Sequence, residues 1–149
     1  MKILIVDDNP ENLYMLEGLL KGGGYEVVTA TDGVEAIAKL KKPPFGMVIS
    51  DILMPRMDGY GLCRACKQDE ALGKIPFLLY TAAYTNREDE EFARGLGAAR
   101  YVVKPIEPVE LLRIIEEVFK ECREGKAAVP EVDGRRRALS CRIQRAPRQ

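Results

Sequence analysis

Apolar positions along the chain fall into two alternating patterns, short continuous runs and longer stretches with a helical repeat. The short runs lie at Lys2 to Val6, Tyr25 to Ala30, Gly46 to Ser50, Ile75 to Tyr80 and about Arg100 to Val103. Runs of that length bounded by turn residues predict buried parallel strands. The stretches between them predict helices. After the first run, Asn9 reads as an N-cap and Pro10 as the first helical residue. That helix runs to about Lys21, where Gly22-Gly23-Gly24 stops it. The glycines lie between a helix and a strand, whereas a phosphate-cradling loop lies between a strand and a helix, so they predict a plain turn. Asp32-x-x-Glu35 forms a capping-box pattern before a second helix that ends at Pro43-Pro44. A third helix is expected from Asp58-Gly59 to about Asp69. Thr85-x-x-Glu88 predicts another capping box before an acidic helix from Glu88 to Leu96. The last helix begins at Pro108, with Leu111, Ile114, Ile115, Val118 and Cys122 at i, i+3, i+4, i+7 and i+11, on one face.

Five strand–helix units over residues 1–124 predict one domain of α/β class, a parallel sheet covered by helices on both faces. Right-handed crossovers reduce the arrangement to a doubly wound (βα)5 flavodoxin-like sandwich, and the order 2-1-3-4-5 suits five strands. From about residue 125 the periodicity fails. Residues 125–149 read as a basic disordered tail or a truncated linker, and no internal repeat is visible.

Composition narrows the class. With 46% hydrophobic residues in 149, the chain is expected to fold around a proper core. Its apolar runs are too short for a bilayer, and no signal-peptide pattern precedes the first strand, so a cytoplasmic location is expected. Net charge is zero, but residues 1–125 carry 16 Lys and Arg against 21 Asp and Glu, while residues 126–149 carry 7 against 2. A duplex-DNA reader usually carries its basic surface on the folded part. Nucleic acid is therefore not an expected partner of this chain alone, and Arg135-Arg136-Arg137 reads as part of a solvated linker. Cys63-Arg-Ala-Cys66 has the spacing of a redox or zinc pair. It lies inside a predicted helix, no second pair follows, and the chain has no His, so Leu62, Cys63 and Cys66 predict a buried stripe. Without His there is neither a histidine base nor a phosphohistidine; a phosphate arriving from histidine must come from another protein.

Candidate chemistry collects where the strands end. Asp7 and Asp8 close the first run, Asp51 the third and Thr81 the fourth, and Lys104 follows the fifth. In open α/β sheets, ligands bind at the carboxyl ends of the strands, and the 2-1-3-4-5 order puts the switch point between strands one and three. Three crowded carboxylates are costly unless a cation sits among them. All-oxygen ligation suits Mg²⁺. Asp8 and Asp51 are the expected direct ligands, Asp7 a ligand through water, and the Leu53 backbone carbonyl a further oxygen. A carboxylate can act as nucleophile toward phosphorus, giving an aspartyl phosphate. Lys104 could neutralise one phosphoryl oxygen and the Thr81 hydroxyl could donate to another.

These pieces, Ile5-Val6-Asp7-Asp8-Asn9, Ser50-Asp51-Ile52-Leu53-Met54-Pro55-x-Met57-Asp58-Gly59, Thr81-Ala82 and Tyr101-x-x-Lys104-Pro105, resemble the response-regulator receiver domain of two-component signalling, in order and over about residues 2–122. The form resembled is the single-domain, chemotaxis-regulator-like one. The resemblance implies that Asp51 accepts phosphate from a sensor histidine kinase or phosphotransfer protein. It also implies that Thr81 and Tyr101 form a switch pair. Thr81 moves toward the phosphate and Tyr101 turns inward, changing the face made by helix four, strand five and helix five. Output would pass to an unknown partner protein or to a missing effector domain, with the chain a monomer or weak dimer. A fixed core-edge role for Tyr101 is the other reading. Leu53 and Ala83 stand two residues after Asp51 and Thr81, and neither side chain can hydrogen-bond an attacking water, so slow self-dephosphorylation is expected. An enzyme is not expected. An Mg²⁺-dependent aspartyl phosphatase normally has a second acid where Leu53 stands, and no G-x-G-x-x-G or P-loop follows strand one to bind a nucleotide.

Overall fold

The computed structural model describes residues 1–42, 44–81 and 87–123. Its elements are β1 (Lys2–Val6), α1 (Pro10–Gly22), β2 (Glu26–Ala30), α2 (Gly33–Leu40), β3 (Met47–Ser50), α3 (Gly59–Gln68), β4 (Phe77–Thr81), α4 (Arg87–Leu96), β5 (Arg100–Val103) and α5 (Pro108–Arg123). The five strands form one parallel sheet in the order β2-β1-β3-β4-β5, as the sequence predicts. The Thr85 capping box, Ala83 and residues 125–149 lie outside the described residues. Among the described residues, no helix is long and apolar enough to cross a membrane.

Strand alternation divides the core in two. Leu4, Val6, Val48, Phe77, Leu79 and Tyr101 face one side, where Leu40 of α2, Leu62, Cys63 and Cys66 of α3 and Ala93 of α4 cover them. Ile3, Ile5, Met47, Ile49, Leu78 and Val102 face the other, against Leu20 of α1 and Leu111, Ile114, Ile115, Val118 and Phe119 of α5. Burying each large aliphatic side chain contributes roughly 1.5–3 kcal/mol, and these two layers fix the strand register. Cys63 and Cys66 are buried and unbonded to one another, and burial pushes the Cys66 thiol up to about 11. They fill core volume.

Two local details differ from the expected ones, and a third, at Arg100, is not visible in the strand pattern. Glu35 reaches back past the N-cap to the Thr31 N–H at 2.8 Å, while Asp32 accepts from the Glu35 N–H at 2.9 Å. The strand before Thr81 begins at Phe77 and includes Thr81. Pro76 has no N–H to donate, and the Ile75 carbonyl accepts from Lys67 Nζ at 2.9 Å, outside the ladder. Arg100, which opens β5, is fully buried; its guanidinium meets the Glu121 Oε2 atom at 2.7 Å and donates to the Ala99 carbonyl at 2.8 Å.

The turn from β3 into α3 is packed tightly. The Gly59 N–H donates to the Ile52 carbonyl at 2.8 Å, and the Asp58 carboxylate caps α3 through the Gly61 N–H at 2.8 Å. A Cβ at Gly59 would lie 2.2 Å from the Asp51 carbonyl oxygen and 2.9 Å from the Ile52 Cα. Both atoms are backbone and cannot rotate away. Gly59→Ala is therefore expected to destabilise the fold by about 1–3 kcal/mol, read as a lowered denaturant midpoint at unchanged slope. An unchanged midpoint would contradict this packing.

Candidate functional site

The register of β1 on β3 builds the site. Val6 pairs with Ser50, so the residues that follow, Asp7 and Asp51, leave neighbouring strands side by side. The Asp51 N–H donates to the Val6 carbonyl at 2.9 Å and the Asp7 N–H to the Ala30 carbonyl at 3.1 Å, which pins both positions at the sheet edge. Carboxylate oxygens of Asp7, Asp8 and Asp51 all lie within 4.8 Å of one another. Asp7 is buried, Asp51 half-buried and Asp8 exposed, so the cluster opens toward solvent on the Asp8 side.

Each acid is held differently. Asp7 Oδ1 accepts from the Asn9 N–H at 2.9 Å, and its Oδ2 accepts from Asn12 Nδ2 at 3.2 Å. Lys104 Nζ stands 3.6 Å from the same Oδ2. Asp51 Oδ1 accepts from the Ile52 N–H at 2.7 Å, and the Ser50 hydroxyl donates to the Asp51 carbonyl at 2.7 Å. The buried Thr81 hydroxyl is hydrogen-bonded to the Asp51 carboxylate, and the Lys104 charge also acts on it. Burial is the main cause that holds the Asp51 carboxyl above the usual range. The Asp7 charge adds to it, and the Ile52 N–H, Lys104 and Thr81 pull the other way.

The structure thus gathers Asp7, Asp8, Asp51, Thr81 and Lys104, as the strand-end reading expects. The acid cluster fits a hard divalent cation: it offers oxygen ligands only, it is open on one side, and its mutual repulsion is relieved by added positive charge. Leu53 lies in the loop just beyond, with its side chain 66% exposed.

Tyr101 is turned inward at 2% exposure and packs in the α2–α3–α4 layer. Of the expected switch pair, Thr81 is thus bonded to Asp51 and Tyr101 is turned into the core. Three neighbours escaped sequence reasoning. Asn12 carries no signal in the sequence beyond its helical position, although its place one turn inside α1 aims it back at Asp7. Tyr60 of α3 stands beside Tyr101, and its ring meets Phe92 of α4 edge-on at 4.9 Å; burial is the main cause raising its phenol, with Tyr101 adding. The Tyr80 ring lies under Lys104 Nζ, 4.8 Å from its centroid. Strand alternation around Thr81 is the one sequence signal that could have found Tyr80.

A family model for the response regulator receiver domain matches residues 3–116. A probable transcriptional regulator, ycf27, of Guillardia theta is 41% identical over 127 residues, covering 85% of this chain and 48% of that protein. The chain spans about half the length of the curated relatives it matches first. Among solved structures, chemotaxis response regulator CheY4 of Vibrio cholerae superposes with a TM-score of 0.73 at 37% identity, covering 78% of this chain and 97% of that one. The receiver domain of a sensor histidine kinase from Pseudomonas aeruginosa, with magnesium ion coordinated in its active site cleft, gives a TM-score of 0.73 at 29% identity, covering 80% and 97%.

The raised Asp51 carboxyl carries a consequence for stability. The folded chain holds that proton more tightly than the unfolded chain. Its contribution favours folding below the usual carboxylate range and is lost as pH rises through the raised value. In chelator at neutral pH, Asp51→Asn is expected to melt higher than the unaltered chain, the gap closing as pH falls below that range. Added Mg²⁺ should raise the unaltered Tm by mass action and move Asp51→Asn less. A lower neutral-pH Tm for Asp51→Asn in chelator would contradict the burial cost and repulsion described here.

Proposed function

Starting from the response regulator receiver domain family, to which this chain belongs, we propose that it is a phosphorylation-activated switch whose phosphoacceptor is Asp51. The observation that carries this reading is the convergence of the Asp7, Asp8 and Asp51 carboxylates within 4.8 Å, with Thr81 and Lys104 beside them. A partner histidine kinase or phosphotransfer protein presents a phosphohistidine. A carboxylate oxygen of Asp51 attacks phosphorus, the bond from phosphorus to the imidazole nitrogen breaks, and the imidazole leaves with the electron pair. Asp51 then carries an acyl phosphate. The Ile52 N–H fixes Oδ1 and so orients the nucleophile. Lys104 exchanges its Asp7 contact for a phosphoryl oxygen, and the Thr81 hydroxyl donates to another. Asp7, Asp8 and Asp51, with the Leu53 carbonyl, would hold Mg²⁺, which supplies positive charge against the incoming phosphoryl group.

The catalysis is narrow: the protein is its own substrate, and no turnover is expected. Output runs through the face of α4, β5 and α5, where Tyr101 sits, toward a partner protein or an effector domain of a longer chain. The phosphoryl group stabilises the inward arrangement of Thr81 and Tyr101 because it adds acceptor oxygens that only that arrangement engages. The cytoplasm, where kinase and phosphodonor meet, is the proposed location.

Incubation with acetyl phosphate, followed by intact-mass measurement, tests this reading. One added phosphate is expected with Mg²⁺ and none with chelator. Asp51→Ala should take none, and Lys104→Ala should take it at least about tenfold more slowly, the loss of one charge-stabilising group. Phosphate released catalytically without accumulating would favour a phosphatase instead. After donor removal, the phosphoryl group should persist for many minutes or longer; loss within seconds would contradict the role given to Leu53 and Ala83.

A further inference from the structure

Tyr80 lies outside the motif set, yet it touches the residue that must meet the phosphoryl group. Alternation along β4 sends Leu79 and Thr81 toward the α2–α3–α4 layer and Leu78 and Tyr80 toward α1 and α5. Tyr80 pairs with Val102 and Thr81 with Val103, and the Lys104 N–H donates to the Thr81 carbonyl at 2.8 Å. The root of Lys104 is thereby fixed beside Tyr80. Its ammonium sits over the Tyr80 ring, 4.8 Å from the centroid, and 3.6 Å from Asp7 Oδ2. The lysine stem is flexible, and an ion pair at that distance with Asp7, together with the Asp51 charge nearby, attracts the ammonium without fixing its direction. On its outer side lies a cavity of about 300 Å³ lined by Asn12, Met15, Leu16, Ile106 and Pro108, into which the ammonium could swing. The π face of Tyr80, half-buried at that cavity's wall, supplies the second contact.

We propose that Tyr80 is a positioning residue for phosphoryl acceptance: its ring holds the Lys104 ammonium beside the acid cluster, within reach of a phosphoryl oxygen on Asp51. The ammonium can pass from Asp7 to that oxygen while still over the ring. No bond to Tyr80 forms or breaks, and its hydroxyl is not required, since the attraction is to the ring face. The proposal rests on Asp51 being the phosphoacceptor.

The test compares the full chain with Tyr80→Phe, Tyr80→Leu and Tyr80→Met. Limiting phosphorylation rates are measured with phosphoramidate and saturating Mg²⁺, and the Lys104 Hε resonances are read by NMR. Leu and Met keep the apolar contacts of the site without a π face, so folding is preserved in at least one of them. The Phe variant is expected to match the unaltered rate within about twofold, while Leu and Met fall about three- to tenfold. The upfield ring-current shift of the Lys104 Hε protons should persist in Phe and vanish in Leu and Met. Folded Leu and Met variants that react at the unaltered rate would overturn the positioning role alone. A Phe variant as slow as Leu would overturn it in favour of the hydroxyl. An unaltered chain that takes no phosphate would overturn the phosphoacceptor reading and this proposal with it.

Discussion

Mutual repulsion among three carboxylates is the constraint around which this molecule is arranged. Asp7, Asp8 and Asp51 are brought together by backbone pairing that gives them no choice: β1 and β3 are neighbours in parallel register, and an acid follows each directly. The two core layers hold that register, so the repulsion is fixed into the fold by burial on both faces of the sheet. Asn12, Lys104, Thr81 and backbone N–H groups each offset part of it. The remainder makes the site receptive to a cation, which the proposed acyl-phosphate chemistry also calls for.

The same arrangement couples chemistry to shape. Thr81 touches Asp51 from β4, and Lys104 reaches Asp7 from the end of β5. A change at Asp51 therefore acts on β4 through Thr81 and on the end of β5 through Lys104. Tyr101, inward on β5, is tied through Tyr60 to α3, and the Tyr60 ring leans on Phe92 of α4. This aromatic set links the position of one side chain to the placement of a helix. Such a link suits a two-state element, because a tyrosine ring occupies discrete rotamers.

Much of this was legible in the sequence because the informative residues punctuate the chain. Asp7, Asp51, Thr81 and Lys104 each follow an apolar run, and a strand end is a place in space once the strand order is fixed. Right-handed crossovers give a doubly wound sandwich, and among its common orders 2-1-3-4-5 is the one that suits five strands. Contacts between distant elements were not legible. Arg100 looks like a charge at a strand edge, but alternation puts it on the Val102 side, where Glu121 of α5 arrives to pair with it. Tyr60 and Tyr80 look like ordinary apolar positions; the partners that give them meaning, Tyr101 and Lys104, lie more than twenty residues away and are chosen by rotamer and packing. The strand starts two residues later than its apolar run, at Phe77, because Pro76 has no N–H and lends the ladder only its carbonyl, which accepts from the Val48 N–H at 3.0 Å.

In the proposed reading Asp51 itself carries the phosphoryl group as an acyl phosphate. Borohydride reduction of the phosphorylated chain, followed by peptide sequencing on a mass spectrometer, tests it most directly, since reduction converts an aspartyl phosphate to homoserine. Homoserine at position 51 alone, and its absence from chain treated without Mg²⁺, is the predicted result. Phosphate retained after reduction on Ser50 or Thr81, or homoserine at Asp7 or Asp8, would contradict the account.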